Sequence, residues 1–242
     1  MDKKKVQKMT LIVSLEGKDF IAVGSDSEGS REDSHGTRVD NIEAEKLIQL
    51  TKFSCALIAG DAEIGTELIE EFKSTLKNTD KWNLTDVVKK FSKFCKKEIS
   101  HISDVVSPSD IAFPYIIFIL TGLDKKGKKF IPKINVLRST RLFCPGREKD
   151  KSAKGKPMIA YYILDKYYDK NFCQEDMLFL IGKVISETMR IDGDVGGKIK
   201  MAIIDNKGFR NIKDSAVEIY TKDKEMYKLE KENKELENII KE

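Results

Sequence analysis

Two stretches of the sequence approach known ligand-binding motifs, and each lacks a residue that the chemistry requires. Residues 122–129 are close to a phosphate-binding loop, but Lys129 stands where a Ser or Thr would bind Mg²⁺, so we expect only a hairpin turn. Residues 192–194 begin like a calcium loop, yet Ile203 occupies the position of the bidentate glutamate. No cluster of histidines and cysteines has zinc spacing. The sequence therefore predicts neither a metal nor a cofactor.

The first predicted elements of the chain are two β-hairpins. Residues 10–15 and 20–25 are short apolar runs joined by a turn that contains Gly17. Residues 46–50 and 53–60 have the same character and form the second hairpin. Four strands are thus expected before the first helix.

Helices and strands then alternate in groups. Residues 61–76 and 84–99 carry apolar residues at helical spacing and are predicted to be amphipathic helices against one face of a sheet. Residues 115–124 and 129–137 form a third hairpin, in which Pro132 indicates an edge or a bulge.

The last predicted elements are two more helices and a strand, at residues 157–168, 175–191 and 198–205. Because a pair of helices follows each group of strands, both sheets have helices to cover them. The predicted fold class is therefore α/β in the α+β sense, arranged as a four-layer αββα sandwich.

Three segments are expected along the chain: a leader or alternative-start segment over residues 1–9, one domain over residues 10–221, and a charged helix over residues 222–242. The last segment carries the 3,4 spacing of a short coiled coil, with an asparagine at an a position. A single amphipathic helix explains it equally well, because three heptads or fewer are marginal. The residues with this spacing are Met226, Leu229, Asn233, Leu236 and Ile240.

The composition fits one globular domain of 242 residues, 40% hydrophobic and 35% charged. The formal net charge is only +4 and charges of both signs are interspersed, so a nucleic-acid partner has little electrostatic support. No apolar run is long enough to span a bilayer, and residues 1–9 lack the apolar core of a signal peptide. The cysteines have no CxxC pairing and are interpreted as buried free thiols in a reducing compartment; they are Cys55, Cys95, Cys144 and Cys173. We expect a cytoplasmic protein with no membrane contact.

Residues 9–26 resemble the opening of proteasome β subunits and of the bacterial ATP-dependent threonine protease that shares their fold. In those families the mature chain begins at a threonine, and the hairpin that follows ends in an acidic residue. Thr10 and Asp26 occupy these two positions. Residues 45–48 match the start of the strand that carries the family lysine, which falls at Lys46.

Two later segments extend the resemblance over roughly residues 10–212. Residues 56–68 resemble the strand, the Ala-Gly turn and the helix that follow the lysine, with Gly60 in the turn. Residues 189–197 resemble the loop that carries the second catalytic aspartate, at Asp192. The resemblance implies the N-terminal-nucleophile hydrolase fold of the proteasome type.

It also implies a threonine-type peptidase or amidase that transfers an acyl group to water. A threonine hydroxyl needs an adjacent base, and a free α-amine with a pKa near ~8 supplies one when that threonine is the first residue. By resemblance, Lys46 lowers the pKa of the Thr10 hydroxyl and Asp26 holds Lys46 in place. Asp192 orients the amine, and the backbone N–H of Gly60 donates to the oxyanion.

Each of these residues also has an ordinary structural interpretation. Thr10 is a β-branched strand residue, Asp26 follows a strand as a turn residue, and most lysines are solvated as Lys46 would be. Asp192 can cap a loop, and Gly60 can be a plain turn residue. The catalytic interpretation rests on the occurrence of all five in order on the expected elements.

The sequence departs from the family pattern in two places. Thr10 follows Met9 instead of glycine, so its amine is free only if translation starts at Met9 or if residues 1–9 are removed as a propeptide. The family also has serines near its site, whereas residues 152–156 and 192–195 lack them at the matching positions. Two alternatives therefore stay open: a catalytically inactive assembly subunit, and a transpeptidase or peptide ligase on the same scaffold.

The partners expected with this function are a peptide or protein substrate and further copies of the chain in a homo-oligomer. An ATPase or another regulatory partner could feed such an assembly. Substrate preference depends on pocket geometry that short sequence patterns do not fix.

Overall fold

The computed structural model describes residues 10–32, 38–76, 84–105, 116–124, 127–131, 133–136, 150–155 and 157–222. Within these residues the strands are β1 (Leu11–Glu16), β2 (Ile21–Ser25), β3 (Glu28–Glu32), β4 (Arg38–Glu43), β5 (Leu47–Thr51), β6 (Ser54–Gly60), β7 (Ile116–Leu123), β8 (Lys129–Phe130), β9 (Lys133–Val136), β10 (Lys151–Gly155), β11 (Lys200–Asp205) and β12 (Gly208–Asn211). The helices are α1 (Ala62–Thr75), α2 (Leu84–Val105), α3 (Pro157–Tyr167), α4 (Gln174–Ile191) and α5 (Asp214–Tyr220). The fold is α+β, as predicted.

The strands form two five-stranded antiparallel sheets and a separate ribbon. The first sheet has the order β10-β1-β2-β11-β12. The second has the order β5-β6-β7-β8, with β9 also paired to β7, and β3 pairs with β4 in the ribbon. Both hairpins predicted at the start of the chain are confirmed, as β1 with β2 and as β5 with β6.

The buried side chains divide into three clusters. The first cluster joins the first sheet to α3 and α4, and the second joins the second sheet to α1 and α2. The third contains residues of both sheets and of neither pair of helices. The sequence of β1 is a continuous apolar run because both faces of the strand are buried. Leu11 and Val13 belong to the first cluster, while Ile12 between them belongs to the third.

Some predictions about the elements are wrong. Among the described residues, six strands precede the first helix instead of four, because β3 and β4 lie between the two hairpins. Their sequences are polar and lack regular apolar alternation, so neither gave a strand signal. Strand β10 and helix α5 were also not predicted, because the first is a short charged edge strand and the second has only seven residues.

The remaining elements agree more closely with the sequence patterns. Helices α1 to α4 are confirmed, and α2 continues to Val105. The third hairpin is confirmed, with its second strand divided into β8 and β9. Its turn is closed by hydrogen bonds from Gly127 N to Asp124 O and from Asp124 N to Lys128 O, so the stretch near a phosphate-loop pattern is a hairpin turn as predicted.

The cysteines agree only in part with the prediction of buried thiols. Cys55 and Cys95 are buried, whereas Cys173 is exposed. It lies at the N-cap of α4, where its Sγ accepts from Asp176 N, and a helix end of this kind faces solvent. Cys144 lies outside the described residues, as do the segments of residues 1–9 and 223–242.

An ion pair holds the end of β1 to the second sheet. Lys129 Nζ, at the start of β8, lies 3.3 Å from Glu16 Oε1, and both side chains are largely buried. Lys170 Nζ lies 3.1 Å from the same oxygen. The hydroxyl of Tyr168 donates to the backbone O of Glu16. This cluster fixes the sheets relative to each other at the end of β1 that is far from Thr10.

Replacing Phe91 with alanine is expected to lower the free energy of unfolding by about 3–5 kcal/mol. The Phe91 ring is fully buried in the second cluster and packs edge-on against Phe72 and Phe118, with centroids 5.0 and 4.9 Å apart. Urea unfolding measures the change. Lys93→Ala, at an exposed position of the same helix, is the control and should change stability by less than about 0.5 kcal/mol.

Candidate active site

Thr10 is buried directly before β1, and its backbone packs against the last residue of β10. Its exposed fraction is 3%. Gly155 has a positive φ of 100°, and a Cβ atom added there would lie 1.5 Å from the carbonyl oxygen of Thr10. Since Gly155 also pairs with Leu11 in the sheet, the end of β10 fixes the main chain on both sides of the Thr10 carbonyl.

Gly155→Ala is therefore expected to be more destabilising than an ordinary glycine substitution. The left-handed conformation alone costs an L-residue about 1–2 kcal/mol. The added methyl group would also push the main chain at Thr10 out of place, which lowers the free energy of unfolding further. Gly127→Ala is the matched control, because Gly127 has φ +73° and nothing within 4 Å of an added Cβ. Chemical unfolding of both variants measures the difference; equal losses would show that the contact with Thr10 contributes nothing.

Asp26 is fully buried immediately after β2, and both oxygens of its carboxylate accept hydrogen bonds. Oδ1 accepts from Leu11 N at 3.0 Å and from Lys46 Nζ at 3.0 Å. Oδ2 accepts from Gly196 N at 3.2 Å. Asp26 N donates in turn to Leu11 O, so the residue after Thr10 is bound to Asp26 in both directions. The carboxylate thus binds groups that are distant in the chain, whereas the aspartate of an ordinary turn binds the main chain of its own turn.

Lys46 is buried at the residue before β5, and its ammonium group is paired and hydrogen-bonded. Besides Asp26 Oδ1, Nζ donates to the backbone O of Glu28 at 2.5 Å. The backbone O of Lys46 accepts from Ile58 N of the neighbouring strand. Buried charges are tolerated only when they are paired and hydrogen-bonded, and both conditions are met here. A solvated lysine is excluded.

The electrostatics of the pair depend on two opposing effects. Burial raises the pKa of Asp26 above its ordinary value, because the charged form loses its hydration. The ammonium of Lys46 and the N–H groups of Leu11 and Gly196 act in the opposite direction and favour the carboxylate. The network therefore compensates in part for a charge that the fold has removed from water.

Asp192 lies at the C-terminal end of α4, half-buried at the start of a loop that reaches Asp26. Its backbone N–H donates to Thr188 O, and its Oδ1 accepts from Asp194 N at 3.0 Å. The loop continues to Gly196, the residue that donates to Asp26 Oδ2. The structure thus joins the loop of Asp192 to the pair formed by Asp26 and Lys46.

Gly60 is the last residue of β6, with a positive φ of 99° that glycine adopts without strain. The next residue, Asp61, caps α1 by accepting from Ile64 N. Since β6 pairs with β5, the strand that ends at Gly60 lies beside the strand that begins after Lys46. The structure therefore places all five predicted residues at ends of elements. Asp26 and Lys46 are in direct contact, and the segments of Thr10 and Asp192 are joined to this pair through Leu11 and Gly196.

The two segments in which the sequence departs from the family pattern, residues 152–156 and 192–195, both contain buried side chains. Val195 is buried in the loop after Asp192. Ser152 lies in β10, buried, and its Oγ has no hydrogen-bond partner in the part of the chain that the structure describes. Gly155 and Gly196 contact the candidate site and were not predicted, because a single glycine beside charged residues gives no specific signal.

The described residues contain neither a metal-binding cluster nor a membrane-spanning helix. No group of three or more histidine, cysteine, aspartate or glutamate residues among them could hold a metal ion. None of the helices in the described ranges is both long enough and apolar enough to cross a bilayer.

Comparisons with known proteins point to one family. The model of the proteasome subunit family matches residues 6–204. A proteasome subunit beta of Picrophilus torridus is 24% identical to this chain over 204 residues, which make up 83% of this chain and 88% of that protein. The matched range includes every residue predicted for the site.

Proposed function

This chain belongs to the proteasome subunit family, and from that premise we propose that it is a threonine-type peptidase whose nucleophile is Thr10, exposed by removal of residues 1–9. Family membership implies a proteasome-like hydrolase that assembles into an oligomeric complex. The observation that carries the finer proposal is the ion pair of Asp26 and Lys46, buried and hydrogen-bonded to the residue that follows Thr10. An apolar pair would stabilise the fold at least as well, which favours a chemical reason for the charges.

In the proposed reaction, the α-amine of Thr10 takes the proton from its own hydroxyl as Oγ attacks the substrate carbonyl. The N–H of Gly60 donates to the oxyanion, and the amine passes its proton to the leaving nitrogen as the peptide bond breaks. Water then attacks the ester at Thr10, and Oγ regains a proton. Lys46 favours the charged form of the nucleophile, Asp26 holds Lys46, and Asp192 orients the amine.

The proposal includes a four-layer αββα sandwich, supported by the three buried clusters. The first and second clusters pair each sheet with two helices, and the third joins the two sheets. We further propose a homo-oligomeric ring or smaller ring-like complex, fed by an ATPase or another regulatory partner. The free thiols of Cys55 and Cys95 fit a reducing compartment such as the cytoplasm.

A catalytically inactive assembly subunit is the second candidate. The lack of a serine in residues 192–195, the region in which the related families carry one shortly after the second aspartate, favours it. In that case the ion pair of Asp26 and Lys46 would have only a structural role.

The test compares the full chain with a chain whose first residue after methionine removal is Thr10. Mass spectrometry of the purified proteins identifies the N-terminal residue, and a panel of fluorogenic peptides measures hydrolysis. We expect turnover only from protein that begins at Thr10. An assembled protein that begins at Thr10 and hydrolyses no peptide would support the inactive subunit instead.

A further inference from the structure

The loop of residues 192–198 is fastened to the segment of residues 26–28 by hydrogen bonds from both sides. Gly196 N donates to Asp26 Oδ2 at 3.2 Å, and Gly196 O accepts from Ser27 N at 3.2 Å and from Glu28 N at 2.9 Å. Lys198 N donates to Ser27 Oγ at 2.8 Å. We call these four hydrogen bonds the loop anchor. They connect two segments that are about 170 residues apart in sequence and belong to different elements.

The two segments approach closely at two glycines, and an added Cβ would meet the flexible Glu28 side chain at the first and the main chain of residue 28 at the second. A Cβ on Gly196 would lie 1.7 Å from Glu28 Oε2. Gly197 has φ +74°, and a Cβ there would lie 2.7 Å from Ser27 Oγ and 3.0 Å from Glu28 N. The two segments are therefore in close contact, although they do not pair as strands of a sheet.

The two carboxylate oxygens of Asp26 accept hydrogen bonds from different parts of the chain. Oδ1 binds Leu11 N and Lys46 Nζ, the groups on the side of the nucleophile. Oδ2 binds the loop of Asp192 through Gly196. A single carboxylate thus sets the position of Lys46 and of the loop that begins at Asp192 relative to the residue after Thr10.

Ser27 is buried, with an exposed fraction of 2%, and faces the loop rather than solvent. Its backbone O accepts from Ala44 N, directly after β4, so the segment of residues 26–28 is itself held by a further hydrogen bond. The loop anchor therefore attaches the loop that begins at Asp192 to a segment that is itself held by a further hydrogen bond.

We propose that Ser27 and Gly196 are positioning residues for the reaction, which act by holding the loop of Asp192 against the carboxylate of Asp26. The inference rests on the proposed function, because it assigns the loop anchor a part in the chemistry of Thr10. Neither residue needs to touch the substrate.

Ser27→Ala, in the chain that begins at Thr10, tests the proposal because it removes the acceptor for Lys198 N and leaves the Asp26–Lys46 contact in place. We expect kcat to fall about 10- to 100-fold, the scale of a misplaced catalytic group, while KM stays within about twofold. Hydrogen exchange of the peptide that spans residues 192–198 should become faster. Ser54→Ala is the matched control, since Ser54 is also 2% exposed and has a side-chain partner at Thr51 Oγ1.

A pair of compensating substitutions separates positioning from general stability. Gly196→Ala places a methyl group against the Glu28 carboxylate and is expected to lower kcat. Glu28→Ala removes that carboxylate, so adding Gly196→Ala to Glu28→Ala should lower kcat much less than adding it to the unsubstituted chain. An unchanged kcat or unchanged loop exchange in Ser27→Ala overturns the proposal, and so does a loss of kcat that Ser54→Ala reproduces. If the unsubstituted chain has no turnover, the proposed function fails and the assignment to catalysis fails with it; loop exchange then still reports separately whether the loop anchor exists.

Discussion

Replacing Thr10 with alanine, in a chain that begins at this residue, is expected to lower kcat/KM for a peptide substrate by at least about 10⁴-fold. The variant keeps the α-amine but has no hydroxyl to form the acyl ester, so no other group in the proposed site can take over the attack. Thr10→Ser keeps both the hydroxyl and the amine and should retain measurable turnover. Steady-state hydrolysis at equal concentrations of assembled protein measures both.

The alanine variant should fold normally, because the described contacts of residue 10 use its backbone. Its carbonyl packs on Gly155, and the following N–H of Leu11 binds Asp26. Thr75→Ala removes a hydroxyl at an exposed position of α1 and serves as the control for activity. Hydrolysis by Thr10→Ala at the parental rate would show that another residue is the nucleophile and that the proposed mechanism is wrong.

Replacing Lys46 with methionine is expected to have the second largest effect and to act on activity and stability together. Loss of the charge beside the nucleophile should lower kcat by about 10²–10⁴-fold. The carboxylate of Asp26 then stays buried without its counter-ion, which costs about 3–5 kcal/mol of the free energy of unfolding. Peptide hydrolysis and urea unfolding of the same preparation measure the two losses.

A double variant, Asp26→Asn with Lys46→Met, separates these effects. Removing both charges leaves no unpaired ion at this position, so a large part of the lost stability should return. Activity should not return, because the charge on residue 46 is still absent. If stability and activity recover together, the pair has only a structural role and the charge of Lys46 has no part in the proposed mechanism.

The pH dependence of stability in Lys46→Met follows from the raised pKa of Asp26. Burial raises this pKa, and the substitution removes the ammonium that opposes the increase. Between the ordinary and the raised pKa the folded state binds more protons than the unfolded state, so the free energy of unfolding falls as the pH rises through this window. The variant should therefore be more stable in mild acid than at neutral pH relative to the double variant, as measured by urea unfolding at a series of pH values.

The apolar runs of the sequence predicted most of the fold because the central strands of both sheets are buried on both faces. Strand β6, for example, is a continuous buried run bounded by a turn and a helix cap, and a short run of this kind is typical of a strand in the interior. Strands β3 and β4 were missed because a two-stranded ribbon of polar residues is held by main-chain pairing, which leaves no trace in the side-chain pattern. The same reason applies to β10, in which Lys151 and Lys154 interrupt any apolar pattern.

The site residues could be proposed from the sequence only through their order, since an aspartate after a strand and a lysine before one are common. What the sequence could not supply is the geometry that makes them unusual. The burial of Lys46 and the division of the Asp26 oxygens depend on contacts with Glu28 and Gly196, which are distant in the chain or bind through the main chain alone. Backbone donors and acceptors carry no residue type, and a sequence pattern cannot record them.

The ion pair of Glu16 and Lys129 at the far end of β1 has a consequence for how the two sheets align. The apolar side chains between the sheets attract one another without a preferred direction, so by themselves they permit one sheet to slide over the other. Glu16 with Lys129 and Asp26 with Lys46 are two bridges at opposite ends of the first hairpin, each between the same two sheets. A slide in either direction would separate both pairs at once, so the charges fix the alignment of the sheets along the strands at two separate points.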